Sequence, residues 1–345
     1  MEATFIIEKL ILVVIVFTIS LVIAMYSTLA ERKIAGFMQD RHGPNRAGFG
    51  GLLQPLCDGG KFFFKEEIIP AGAHKTLFIL GPTLAIITAC ISSAVIPWGQ
   101  NLTIGDRVID LQVADINVGI LYVFGVVALG VYGIMLGGWA SNNKFSLMGT
   151  IRAASQSISY EIGMGLAIIA LLMVTGTLSM KEIVAQQSGF VNWNIWVQPL
   201  GFLIFITCVF AECNRVPFDL PECETELIGG YHTEYSSMKL GLYMFSEYIN
   251  MFVSSALMAA LYFGGYNFPF MYDLGLSANW ITIIGVLVFF VKIFGFIFFF
   301  MWIRWTLPRF RYDQLLNLGW KMLIPLAIAN IVLTGIVTVI KDLYF

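Results

Sequence analysis

The chain has little of what a water-facing surface requires. Of its 345 residues only 12% are Asp, Glu, Lys or Arg, against about 25% in an ordinary globular domain. Its 20 Lys+Arg nearly cancel 22 Asp+Glu, so it has no basic surface for a nucleic acid. The five cysteines (Cys57, Cys90, Cys208, Cys213 and Cys223) contain no CxxC pair, which leaves neither an iron–sulfur motif nor a disulfide framework. The three histidines, His42, His74 and His232, all lie outside the apolar runs, which removes a haem held between helices. No GxGxxG, no GxxxxGK[ST], no zinc spacing and no Ser/His/Asp set occurs. No metal site is expected. Any electrons handled here must come from a partner.

Apolar sequence is abundant: 58% of the residues are hydrophobic and 14% aromatic. A helix crossing about 30 Å of hydrocarbon needs about 20 apolar residues. Eight such runs appear, at Leu10 to Ala30, Leu77 to Trp98, Ile116 to Trp139, Ser159 to Thr177, Trp193 to Ala211, Leu240 to Phe263, Trp280 to Ile303 and Met322 to Ile340. None alternates as a barrel strand does. The expected fold is therefore an all-α integral membrane protein with eight transmembrane helices in one polytopic domain. The acidic residues Glu2 and Glu8 do not suit a cleaved signal peptide. Of the 20 Lys+Arg residues, 15 fall in the first, third, fifth and seventh connections, from Arg32 to Lys75, at Lys144 and Arg152, at Arg215 and Lys239, and from Arg304 to Lys321. That asymmetry places these connections in the cytoplasm and both termini outside.

Residues 31–75 form a long first connection, and loops of that length in compact bundles are usually functional. After the turn-rich Gly43, Pro44, Asn45, Arg46 and Gly48, residues Gln54, Asp58, Lys61 and Lys65 recur at helical spacing opposite Leu53, Leu56, Cys57, Gly60 and Phe64. This pattern predicts a short amphipathic helix lying in the membrane plane between the first two spans. It is read either as a surface helix on the bundle or as a lateral gate for a lipid-soluble ligand.

Ionisable groups inside the spans cost about 2.5–3.5 kcal/mol each on insertion scales. Glu161, Glu212, Glu247 and Lys292 are such groups. A static Glu247–Lys292 pair would explain two of them, whereas four on different helices favour a buried track able to carry protons. The acidic connection 212–239 adds Asp219, Glu222, Glu224, Glu226 and Glu234 against the single base Arg215 until Lys239. Pro217, Phe218, Leu220 and Pro221 interleave with them, so the segment is expected to fold back into the protein, where crowded carboxylates change protonation near neutral pH. A basic connection, 304–321, follows the seventh span.

The stretches GluArgLysIleAlaGlyPheMetGlnAspArgHisGlyProAsnArg (31–46), LeuGlnProLeuCysAspGlyGlyLysPhePhePheLysGlu (53–66), GluCysAsnArgValProPheAspLeuProGluCysGluThrGluLeu (212–227), TyrHisThrGluTyr (231–235) and ThrLeuProArgPheArgTyrAspGln (306–314) resemble the H subunits of respiratory complex I, NADH:quinone oxidoreductase. The resemblance implies a membrane component at the junction of the two arms, in which quinone passes between span one, the interfacial helix and span six. It assigns Glu31, Arg32, Gln39, Arg41, Asp58, Lys61, Phe64, Arg215 and Asp219 to the quinone chamber. It assigns Glu161, Glu212, Glu222, Glu224, Glu226, Glu247 and Lys292 to a proton relay. It further implies quinone as substrate and no cofactor in this chain, with FMN and iron–sulfur clusters held by partner subunits. Those partners are a 49-kDa-type quinone-site subunit, its iron–sulfur neighbour, a 23-kDa-type ferredoxin-like subunit and small membrane subunits, in a bacterial inner membrane rather than an organellar one. Cys57, Cys213, Cys223, Gly60 and Trp305 depart from the family pattern. Related subunits of hydrogenases, formate hydrogenlyases and ferredoxin-linked complexes are the alternative, and a stand-alone ion transporter is a more distant one.

Overall fold

The computed structural model describes residues 2–105, 107–222, 227–271 and 275–344. Among these, seven helices are long and apolar enough to cross a membrane: Phe5–Met38, Lys75–Val95, Gly119–Ala140, Lys144–Thr175, Ser237–Tyr262, Ala278–Thr306 and Tyr312–Lys341. The chain is thus a multi-pass, almost entirely helical protein. The run expected from Trp193 to Ala211 is interrupted. Pro199 cannot donate a backbone hydrogen bond, and the run divides into a turn, Asn194–Val197, and a 14-residue helix, Pro199–Glu212. At 1.5 Å per residue the latter covers about 21 Å, short of the hydrocarbon thickness. The structure also adds a small antiparallel hairpin, Leu102–Ile104 (β1) with Arg107–Ile109 (β2), in a fold expected to be all-helical.

The first helix, α1 (Glu2–Met38), shows how a lipid-facing helix is anchored. Six of its buried positions, Val16, Ser20, Ala24, Ser27, Glu31 and Ala35, follow one another at spacings of three or four, the period of a single helix face. Small residues on that face let the backbone approach its neighbours. Glu31 continues the stripe, so the helix carries its carboxylate inward. A short helix, α2 (Gln54–Phe64), forms where the sequence pattern predicts one. Its orientation is less simple, because Gln54 and Asp58 turn toward the protein while Leu56, Cys57, Phe63 and Phe64 are exposed. Ser237 fastens it by donating to the carbonyls of Phe62 (3.0 Å) and Lys65 (2.9 Å).

Helices α3 (Lys75–Ile91) and α4 (Gly119–Ala140) cross through Gly81, Gly133 and Gly137. A Cβ at Gly133 would lie 2.9 Å from the Ala85 nitrogen, and one at Gly81 2.9 Å from the Gly137 Cα, so no side chain fits between these backbones. Helix α5 (Lys144–Thr175) is capped by Asn143, which accepts from the Phe145 N–H, and ends at Gly176 with φ 69°. The short helices α6 (Met180–Gln186) and α7 (Asn194–Val197) lead into α8 (Pro199–Glu212). Next in the chain are α9 (Ser237–Tyr262), α10 (Ala278–Thr306), α11 (Tyr312–Asn317) and, after a π-helical turn at Leu318–Leu323, α12 (Ile324–Tyr344). Helix α9 is central: apart from Ser254, its residues from Met251 to Tyr262 are all buried.

Candidate functional site

The end of the bundle that carries the basic connections gathers residues from four segments distant in sequence. Glu31 is the common point. Its Oε1 lies 2.6 Å from Arg304 Nη1, at the end of α10, and its Oε2 lies 3.3 Å from Arg215 Nη1, in the loop after α8. The Tyr248 hydroxyl of α9 donates to Oε2 at 3.0 Å. The Arg215 guanidinium stacks 4.1 Å from the centre of the Tyr248 ring. Burial disfavours the charge on Arg215, but Tyr248, Glu31 and Glu247 more than offset it and hold its pKa above the ordinary value. The Arg215 Nε and Nη2 atoms are buried with no hydrogen-bond partner among the described residues.

Further along the loop, Asp219 Oδ2 is 2.9 Å from Arg309 Nη2. Burial raises the Asp219 carboxyl to about 7. The charge of Glu222 adds to this, and Arg309, Arg304 and Arg215 oppose it. Glu222 and Glu247 meet at one phenol, since the Tyr231 hydroxyl is 3.3 Å from Glu222 Oε1 and 3.2 Å from Glu247 Oε1. Burial and those two carboxylates hold the hydroxyl well above the usual phenol range, so it stays protonated and able to donate. His232 Nδ1 is 3.5 Å from Glu222 Oε1. Glycines permit this packing, one on the bundle and one within the loop. A Cβ on Gly149 would sit 2.7 Å from the Tyr231 nitrogen, and one on Gly230, whose φ is +55°, only 1.6 Å from the Pro221 carbonyl oxygen.

Behind Tyr231 a cavity of about 30 Å³ is lined by both Glu212 and Glu247, with Asn214, Tyr243, Ser246 and Asn250. That is room for about two water molecules. Glu212 also borders a second cavity of about 30 Å³, whose lining is apolar apart from Glu212 and Ser254 and which reaches Met180. One Glu212 carboxylate oxygen is buried without a partner among the described residues. Glu161 is half-buried on α5 near enough to Glu212 for their charges to interact. The structure therefore brings together Glu161, Glu212, Glu222 and Glu247. Glu224 and Glu226 lie outside the described residues.

Lys292 is placed elsewhere. It makes no pair with Glu247; its Nζ donates to the carbonyls of Phe263 (2.7 Å), Gly265 (2.8 Å) and Asn267 (2.6 Å) and lies 4.7 Å from the Trp193 ring centre. Gln187 and Asn194 donate to the Ala260 and Leu261 carbonyls alongside. These side chains satisfy the carbonyls that a helix end leaves open, far along α9 from Glu247. Of the residues expected around a quinone chamber, Arg32 and Asp58 pair at 2.7 Å, joining α1 to α2, and Gln54 donates to Asp58 at 3.2 Å. Arg41 donates to Gln39 at 2.7 Å on the exposed turn after α1. Lys61 stands over the Phe62 ring at 5.8 Å, and Phe64 is 93% exposed. Arg304, Arg309, Tyr231 and Tyr248 were not singled out from sequence. Arg309 and Tyr231 fall within the quoted motifs, which was the available signal.

Comparison with known proteins decides the family. The NADH dehydrogenase family model matches residues 10–335. The chain is 70% identical over 331 residues to an NADH-quinone oxidoreductase H subunit of Cytophaga hutchinsonii, covering 96% of each chain. This chain belongs to the H subunits of NADH-quinone oxidoreductase. The H subunit of Flavobacterium psychrophilum is 63% identical over 338 residues, 97% of this chain and 98% of that one. The H subunit of Flavobacterium johnsoniae is 60% identical over 346 residues, 99% and 98%. As a member of this family the chain is a membrane component of complex I, and its partners are other subunits of that complex. Among the described residues no cluster of His, Cys, Asp and Glu could hold a metal ion.

Proposed function

We propose that this chain guides quinone from the bilayer toward the electron donor and converts quinone reduction into proton movement through buried carboxylates. Reduction by two electrons creates negative charge in a low-dielectric site, and that charge draws protons. The loop carrying Arg215, Asp219 and Glu222 responds first, Tyr231 passes the disturbance to Glu247, and Glu212 and Glu161 take it onward to neighbouring membrane subunits. The observation that carries the reading is the single phenol within hydrogen-bonding distance of both Glu222 and Glu247, backed by a cavity that Glu247 shares with Glu212.

The seam between α1, α2 and α9 is the proposed lateral opening. Glu31, Arg32, Gln39, Arg41, Asp58, Lys61 and Phe64 shape its wall and mouth, and Arg215 and Asp219 lie above them. In this reading the Asn194–Val197 turn and α8 together make the fifth of eight crossings, and both termini lie opposite the basic connections, in a bacterial inner membrane. FMN, the iron–sulfur clusters and the quinone headgroup site belong to the partner subunits. Lys292 acts in this scheme as a scaffold for the end of α9. Replacing Glu212, Glu222 or Glu247 by Gln is expected to reduce quinone-coupled proton uptake while NADH oxidation by a hydrophilic artificial acceptor continues. Equal loss of both reactions in a fully assembled complex would refute the role.

A further inference from the structure

At the N-terminal end of α1 two cavities lie one beneath the other along a single helix face. The first, about 430 Å³, is bordered by Phe5, Glu8, Lys9 and Leu12, together with Asp110 and Asp115. The second, about 450 Å³, is bordered by Val13, Val16 and Phe17 of α1 and by Ile86, Ile87 and Cys90 of α3. Val113 borders both. The α1 positions 5, 8, 9, 12, 13, 16 and 17 follow helical spacing, so the two spaces, meeting at Val113, make a groove along one face that runs about 18 Å from Phe5 to Phe17. Each volume is of the order of a small-molecule site, about 300–1,000 Å³. The upper part is charged and the lower part is apolar apart from Ser93, and the change falls where the apolar run of the first span begins at Leu10.

The charges around the upper cavity balance. Glu8 pairs with Arg107 at 3.3 Å, and Lys181 lies 2.7 Å from Asp110 and 3.9 Å from Asp115. Lys9 gives one N–H to the Gln112 carbonyl, and an ammonium has two further donors. Asp110 Oδ1 is buried with no hydrogen-bond partner among the described residues, and Asp115 is 46% exposed at its side chain. Lys9 donors therefore stand beside two carboxylates that share the single ammonium of Lys181, above a largely apolar crevice.

We propose that this groove binds one aminophospholipid of the phosphatidylethanolamine class. Its phosphate meets Lys9, its primary ammonium meets Asp110 and Asp115, and an acyl chain descends between α1 and α3. A choline headgroup has no N–H to give the carboxylates, so phosphatidylcholine is disfavoured. The site lies at the other end of α1 from Arg32 and Asp58 and does not depend on the quinone reading.

The test uses the intact complex in phosphatidylcholine nanodiscs doped with phosphatidylethanolamine that carries a diazirine in its acyl chain. After illumination, cross-links are expected on Val16, Phe17 and Cys90 well above those on Ile11 and Val14, which face away from the groove. Unlabelled phosphatidylethanolamine should suppress them, and an equal amount of phosphatidylcholine should not. Lys9→Gln should weaken that competition about tenfold, the loss of one charge-assisted contact. Ile87→Trp, at a half-exposed position, should block the cross-links while NADH:quinone activity is unchanged. Equal labelling of both faces of α1 would mean ordinary annular lipid and overturn the proposal. Cross-linking of a partner subunit in place of these residues would overturn it as well.

Discussion

Tyr231→Phe isolates the step on which the coupling scheme turns. The substitution removes one oxygen, at 3.3 Å from Glu222 and 3.2 Å from Glu247, and leaves the ring. The ring contacts to Tyr243, 5.0 Å between centres, and to His232, 5.3 Å, remain available to Phe, so the loop should still fold against α5 and α9. A hydrogen bond to a charged group contributes about 1.5–3 kcal/mol. With every 1.4 kcal/mol worth about tenfold, quinone-linked proton uptake should fall roughly ten- to a hundredfold. Stopped-flow acidification in proteoliposomes, run beside NADH oxidation by a hydrophilic acceptor, gives both rates from one preparation. Adding Glu222→Gln to the Phe variant should cost little more, because residues acting through a shared link are not additive. A Phe variant that pumps at the parental rate would show that the hydroxyl is only a packing group and would remove the link between loop and bundle.

Three further outcomes follow from other parts of the site. Glu31→Gln leaves the buried Arg215 without its counter-charge and weakens the hold on Arg304, a loss of about 3–5 kcal/mol for a broken buried pair; native gels should show much less assembled complex, and normal assembly would refute the clamp. The Asp219 carboxyl, raised to about 7 first by burial, contributes stability that is complete below the ordinary 3.8 and is lost as pH rises through about 7. Its isotope-edited infrared carboxyl band should titrate near 7 and shift downward in Glu222→Gln, whereas a midpoint near 4 would contradict the burial argument. Lys292→Met strips three carbonyls of their donor, each a loss of several kcal/mol in an apolar surrounding; the complex should melt at a lower temperature, and intact stability with abolished pumping would instead make Lys292 a relay.

The sequence pattern made the long helices legible because their apolar runs exceed what a soluble core supplies, and it located α2 from the spacing of Gln54, Asp58 and Lys61. It could not show which way that helix rolls, since the Asp58 partner, Arg32, lies 26 residues earlier. Pro199 was a visible break in the fifth run, and a count of apolar residues passed over it. The inward turn of Glu31 was readable in principle from the stripe that begins at Val16. Lys292 shows the limit most clearly. A lone base in a span suggests an acid as partner, but its real partners are backbone carbonyls of an irregular segment that no side-chain pattern encodes. Arg304 and Tyr248 were hidden for a related reason, since their shared carboxylate comes from a helix more than 200 residues away.

The apolar hollow beside Glu212 has an electrical consequence. Water needs two to four polar neighbours to settle in so small a space, and this wall offers only Glu212 and Ser254. Water can therefore settle beside those two side chains but finds no polar partner along the rest of the wall. In the proposed coupling scheme, a proton leaving Glu212 through this hollow would require the apolar side chains to swing aside and wet its far half. Within that scheme, a few methyl groups would be what separates a resting membrane from a short circuit.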